Sequence, residues 1–182
     1  MPLLTRRRLR WVLVVFGAIA LLAGVVLALG LATPRTHRAA VRATYAANQD
    51  AVFAAILDVA GGAEWRTGVK QVDLLSDPAQ PASWREHSDW GTLTFVHEAV
   101  DPPHRIVSRI VDEDQGFGGT WTYQLQRTRE GTELILTEDG VVDNPLYRFM
   151  SRFVMDHHEG IETYARDLGR KLGEEVEPER IR

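Results

Sequence analysis

The sequence predicts an α+β domain, an antiparallel sheet of about six or seven strands laid on a long C-terminal helix, with one apolar helix ahead of it. Three observations carry that expectation. Residues 69–142 hold six short extended segments separated by turn residues. After them, Leu146, Met150, Phe153, His157, Ile161, Tyr164, Leu168 and Leu172 recur at three- and four-residue spacing, one stripe of a helix. Residues 11–32, WVLVVFGAIALLAGVVLALGLA, contain no charged side chain.

The basic segment 1–10 carries Arg6, Arg7, Arg8 and Arg10. The apolar run behind it makes about 33 Å of helix, enough to cross a hydrocarbon core. Ala28 and Gly30 fit the small-residue pattern of signal cleavage, but the run exceeds the ~7–15 residues of a signal's apolar region, which favours an uncleaved single-pass anchor. Four Arg before the span against Arg35, Arg38 and Arg42 after it lean towards a cytoplasmic N-terminus. The expected location is therefore a bacterial cell membrane, with the domain on the extracytoplasmic side. Residues 33–38 (TPRTHR) are a short linker.

Those four Arg are taken from a total of 21 basic residues, and all 25 acidic residues lie beyond residue 49, so the chain past residue 32 has 17 basic residues and a net charge of −8. Such a body lacks the clustered positive charge that nucleic acid requires, and no nucleic-acid partner is expected. The absence of cysteine removes thiol chemistry and disulfides together.

In the domain, expected over 39–173, residues 39–46 form a first strand. Asn48 or Asp50 then caps a helix to about residue 60, with Val52, Phe53, Ile56 and Leu57 on one face. Gly61 and Gly62 stop it, and AEWRTG forms a short helix or turn. Strands follow at 69–75, 83–89, 92–100, 105–111, 119–127 and 132–142, divided by DPAQP, DWG, DPPH, QGFGG and REG. In TWTYQLQ the alternation puts Trp121, Tyr123 and Leu125 on one face. Asn144 as N-cap and Pro145 at the first position open a helix running to about residue 173. The tail 174–182 is charged and expected to fray.

This order of elements resembles the START-like or Bet v 1-like (SRPBCC) superfamily, which includes polyketide cyclases/dehydrases and lipid-transport domains. Two stretches carry the resemblance, DAVFAAILDVAGGAEWRTGVKQVDLL at 50–75 and GTELILTEDGVVDNPLYRFM at 131–150, within a similarity over about 39–172. It implies a helix-grip fold, a curved sheet wrapped on the C-terminal helix, with an apolar ligand held between them. No catalytic motif is common to the group, so the resemblance transfers no catalytic residue.

The ligand-lining residues expected from the helical stripe and the facing strands are Trp65, Phe95, Trp121, Tyr123, Met150, Phe153, His157 and Ile161. Aromatics at such spacing also serve as plain core. His97 is a further polar candidate. The segment VMDHHEG at 154–160 invites a metal reading, but adjacent helical residues point about 100° apart and cannot converge on one ion. His158 and Glu162 are correctly spaced yet lie off the apolar stripe, where an exposed pair is expected. No metal site and no cofactor are expected. His157 stands apart as an imidazole in an apolar stripe, needing a partner such as a backbone carbonyl or Tyr123.

Three functional readings follow. The first is a membrane-anchored domain that binds or carries a lipid, isoprenoid or polyketide-like molecule without covalent chemistry. The second is a cyclase/dehydratase-type enzyme using His157 and Tyr123 as acid–base groups. The third is a partner-binding module with its pocket filled by side chains, the protein partner being unspecified.

Overall fold

A computed structural model describes residues 6–75, 83–89, 91–112 and 116–181. The DPAQP turn and parts of DWG and QGFGG lie outside the described residues. The chain divides into two compact units, residues 1–35 with 142–155, and residues 36–141 with 156–182.

The first unit holds α1 (Arg6–Ala32) and α4 (Pro145–Phe153). From Arg8 to Ala32, α1 is long and apolar enough to cross a membrane, with a mean hydropathy of 3.0 over its 18-residue apolar stretch. Its C-terminal end packs on the start of α4. A Cβ at Gly30 would strike the Pro145 carbonyl, so only glycine permits this approach. Arg148 donates to the Thr33 carbonyl at 3.3 Å, and Arg35 pairs with Asp143. Asn144 caps α4 as expected, accepting from Leu146 N at 2.8 Å, with Pro145 at the first helical position.

The second unit is an eight-stranded antiparallel sheet in the order β2-β3-β4-β5-β6-β7-β1-β8. Its strands are β1 (Thr36–Tyr45), β2 (Val69–Leu74), β3 (Ser83–Ser88), β4 (Gly91–Asp101), β5 (Arg105–Ile110), β6 (Phe117–Arg127), β7 (Thr132–Val142) and β8 (Glu179–Ile181). Helices α2 (Gln49–Leu57), α3 (Gly62–Trp65) and α5 (His157–Lys171) accompany it. Asn48 caps α2 by accepting from Ala51 N at 2.9 Å, which turns Val52, Phe53 and Ile56 into the core. The inner sheet face supplies Val41, Tyr45, Ile106, Tyr123, Leu125, Leu134 and Leu136, and α5 closes this core with Ile161, Tyr164, Ala165 and Leu168. Burying an aliphatic side chain of this kind contributes about 1.5–3 kcal/mol. The Tyr45 hydroxyl reaches the Ala165 carbonyl at 3.0 Å, satisfying a phenol inside the core.

Two features differ from the sequence expectation. The long helix is broken between Phe153 and His157. Asp156 has extended backbone (φ −102°, ψ 114°) and its side chain accepts from His158 N at 2.9 Å, so it caps a new helix. Asp156 followed by Glu159 is the spacing of a capping box, a start signal inside an otherwise continuous stripe. The stripe divides accordingly. Leu146, Met150 and Phe153 are exposed at 51%, 37% and 56%, whereas Ile161, Tyr164 and Leu168 are buried.

The tail is also held rather than frayed. The Glu174 carboxylate accepts from Ala46 N and Ala47 N at 2.6 and 2.9 Å, and β8 pairs with β1 as the eighth strand. Arg180 on that strand pairs with Glu162 and with Asp156, at 2.8 Å for the latter. This explains why the expected His158–Glu162 pair is replaced. Glu162 is taken by Arg180 and Arg166, and His158 turns to Asp156 at 3.5 Å.

Candidate functional site

Between the sheet and helices α2, α3 and α5 lies a small, partly open chamber of about 20 Å³. Its wall includes Ile56 and Val59 near the end of α2, Trp65 and Arg66 at the end of α3, and Tyr164 of α5. The sheet contributes Trp84, His97, Ser108 and Tyr123 from β3, β4, β5 and β6. A space of this size holds about one water molecule, whereas small-molecule pockets measure about 300–1,000 Å³. Aromatic side chains occupy most of the gap. The Trp65, Trp121, Tyr123 and Tyr164 rings meet at centroid distances of 5.4–6.3 Å, mostly edge to face.

Polar groups stand in and next to the chamber wall. Glu86 is 5% exposed, and its Oε1 accepts from Arg66 and from Trp84 Nε1, at 2.9 Å for the indole. Burial acts to lower the Arg66 pKa, but the Glu86 charge and hydrogen bond outweigh it, so the guanidinium is held above its ordinary value. His97 Nδ1 lies 3.1 Å from Ser108 Oγ, and its ring tilts against Trp84 at 4.6 Å. Burial lowers the His97 pKa, which keeps the imidazole neutral near pH 7. Burial raises both the Tyr123 and Tyr164 phenols, so each stays protonated and can donate a hydrogen bond. Two buried polar atoms of chamber-lining residues, Trp65 Nε1 and His97 Nε2, have no hydrogen-bond partner among the described residues.

A second polar group stands elsewhere on the same inner face. His37 Nε2 is 2.9 Å from Glu138 Oε1, and Trp121 Nε1 donates to Glu138 Oε2 at 2.9 Å. The His157 ring stacks on His37 with centroids 3.8 Å apart. Among the described residues, the ring contact of His157 is this stacked imidazole, and no hydrogen bond to Tyr123 or to a backbone carbonyl accompanies it. Burial first, and the His37 charge next, lower the His157 pKa.

The family described as polyketide cyclase/dehydrase and lipid transport matches residues 36–169. The chain belongs to this family. Solved structures agree on the fold of the cyclase/dehydrase and lipid-transport domain. A START superfamily protein from Mycobacterium smegmatis has a TM-score of 0.59 at 14% identity, the match covering 77% of this chain and 98% of that one. The Zhui aromatase/cyclase from a Streptomyces species also has a TM-score of 0.59, at 18% identity over 74% of this chain and 90% of that one. A Mesorhizobium loti protein has a TM-score of 0.57 at 18% identity, covering 75% and 97%. At such identities the likeness is one of fold alone. A search of curated proteins returns no match.

Within this cyclase/dehydrase and lipid-transport domain, the residues expected from sequence fall into four groups. Trp65 and Tyr123 line the chamber, and Trp121 touches both the chamber's tyrosines and Glu138. Phe95 stacks behind Trp84 at 5.5 Å, and Ile161 is fully buried core. His157 sits with His37 and is not among the chamber-lining residues. Met150 and Phe153 belong to the other unit and are exposed, because the Asp156 cap ends their helix before α5 begins. Sequence reasoning missed Arg66, Trp84, Glu86 and Ser108. The signal available was the alternation of SWREHS, which puts Trp84 and Glu86 on one face with a buried carboxylate needing a cation.

Proposed function

We propose that the domain binds an apolar, ring-bearing small molecule with a hydrogen-bonding oxygen, admitted to the chamber by rearrangement of its aromatic wall. The observation that carries this reading is the pair of unpartnered polar atoms, Trp65 Nε1 and His97 Nε2, both on residues that line the chamber. A buried polar group without a partner costs about 1–3 kcal/mol, which a ligand oxygen offsets. Trp65 supplies only a donor, and Ser108 can adapt its hydroxyl to either role of His97. Aromatic walls give such a ligand its dispersion contacts, and the polar pair orients it.

A naphthol is therefore expected to bind the full-length protein about tenfold more tightly than naphthalene, read by quenching of tryptophan fluorescence. His97→Phe removes that preference while leaving hydrocarbon binding in place. Equal affinities for the two compounds in the wild type would sink this reading. A cyclase/dehydratase-type reaction, the alternative, would use the same chamber, with His97 as its acid–base group since both phenols stay protonated.

We also propose that residues 11–32 tether the domain to a membrane, its C-terminal side being extracytoplasmic. The length and hydropathy of α1 support this, and so does α4, packed on its end with Leu146, Met150 and Phe153 exposed as an interfacial helix would present them. Alkaline extraction of membranes should leave the chain in the pellet. Its release into the supernatant would remove the anchor.

A further inference from the structure

We propose that His37, Glu138 and His157 form a binding site for a divalent transition-metal ion of the zinc class. The three residues come from β1, β7 and the first position of α5, and one ligand atom from each lies within 4.8 Å of the other two. A tetrahedral zinc ion places its nitrogen and oxygen ligands about 3.4 Å apart. His37 Nε2 and Glu138 Oε1, at 2.9 Å, already stand close to that edge. Closure requires mainly the His157 imidazole. It lies nearly parallel to the His37 ring, at 18°, and must turn about its soft terminal torsion to aim at a common point.

The surroundings support the ligand set. The free Glu138 oxygen accepts from Trp121 Nε1 at 2.9 Å, the kind of outer hydrogen bond that orients a metal-binding carboxylate. His37 lies across β7 opposite Gly140, where a Cβ would collide with its ring. Without glycine at that position the imidazole could not lie where it meets Glu138. All three ligands are half-buried, leaving a fourth coordination position open. Two imidazole nitrogens and one carboxylate oxygen suit zinc-class ions, whereas calcium and magnesium require oxygen ligands throughout. None of the three residues lines the ligand chamber, and Trp121 stands between the two, packed on Tyr123 and Tyr164 while donating to Glu138.

The test uses the full-length protein in detergent, stripped with a chelator and titrated calorimetrically with Zn²⁺. Saturable binding of one ion per chain is expected, with a rise in Tm on loading. Co²⁺ should give the intense visible spectrum of a tetrahedral site. His37→Gln, His157→Gln and Glu138→Gln each abolish both signals, whereas His158→Gln leaves them unchanged. Trp121→Phe lowers affinity about 10–100-fold. Glu138→Gln keeps an acceptor for Trp121, and circular dichroism checks that it folds. Absence of saturable binding, equal affinity in the ligand variants, or loss of binding in His158→Gln overturns the proposal.

Discussion

Glu86→Ala is expected to destabilise the domain by about 3–5 kcal/mol, read as a lowered urea midpoint by circular dichroism. The Glu86 side chain is 7% exposed and that of Arg66 20%, so neither charge is well solvated. A single carboxylate oxygen serves both Arg66 and Trp84 Nε1. Truncation leaves a guanidinium and an indole N–H inside an aromatic wall, and the cost arises from those groups more than from the lost attraction. Glu86→Gln keeps an acceptor and should fall between the two. Replacing both charges, with Arg66→Met and Glu86→Leu together, should cost less than Glu86→Ala alone, because no buried charge then lacks a partner. A Glu86→Ala midpoint corresponding to less than about 1 kcal/mol would mean that water reaches the pair.

Leu168→Ala is expected to cost about 2–5 kcal/mol, whereas Leu146→Ala should change stability by no more than about 0.5 kcal/mol. Both leucines occupy the same helical stripe in the sequence, and both changes delete the same atoms. Leu168 is 0% exposed and packs α5 against the sheet core, so truncation leaves a cavity that the neighbours cannot fill. Leu146 is 51% exposed on α4 and leaves none. Equal losses in the two variants would contradict the division of the stripe at Asp156.

These two experiments bear on how far periodicity can be read. The positions of strands β1 to β7, the Asn48 and Asn144 caps and the apolar span all follow from local pattern, since alternation, turn residues and capping are short-range effects. The stripe from Leu146 to Leu172 was legible as well, but its continuity misled. The spacing of apolar residues is blind to a backbone break when the phase resumes after it. The capping spacing from Asp156 to Glu159 is the local signal that marks the break.

The α+β class, the order of elements, the apolar N-terminal segment and the oddity of one imidazole at position 157 are all readable from local pattern. Each of these depends on residues within a few positions of one another. What that imidazole meets depends on long-range packing. His37 and Glu138 are distant in sequence and adjacent because β1 pairs with β7 in a register that sets His37 over Gly140. The chamber is a tertiary outcome too. Trp84, Glu86, His97 and Ser108 come from three consecutive strands, and only the sheet's pairing turns them towards Arg66 and Trp65. Spacing along a chain reports which face a side chain occupies, and packing alone reports what stands opposite.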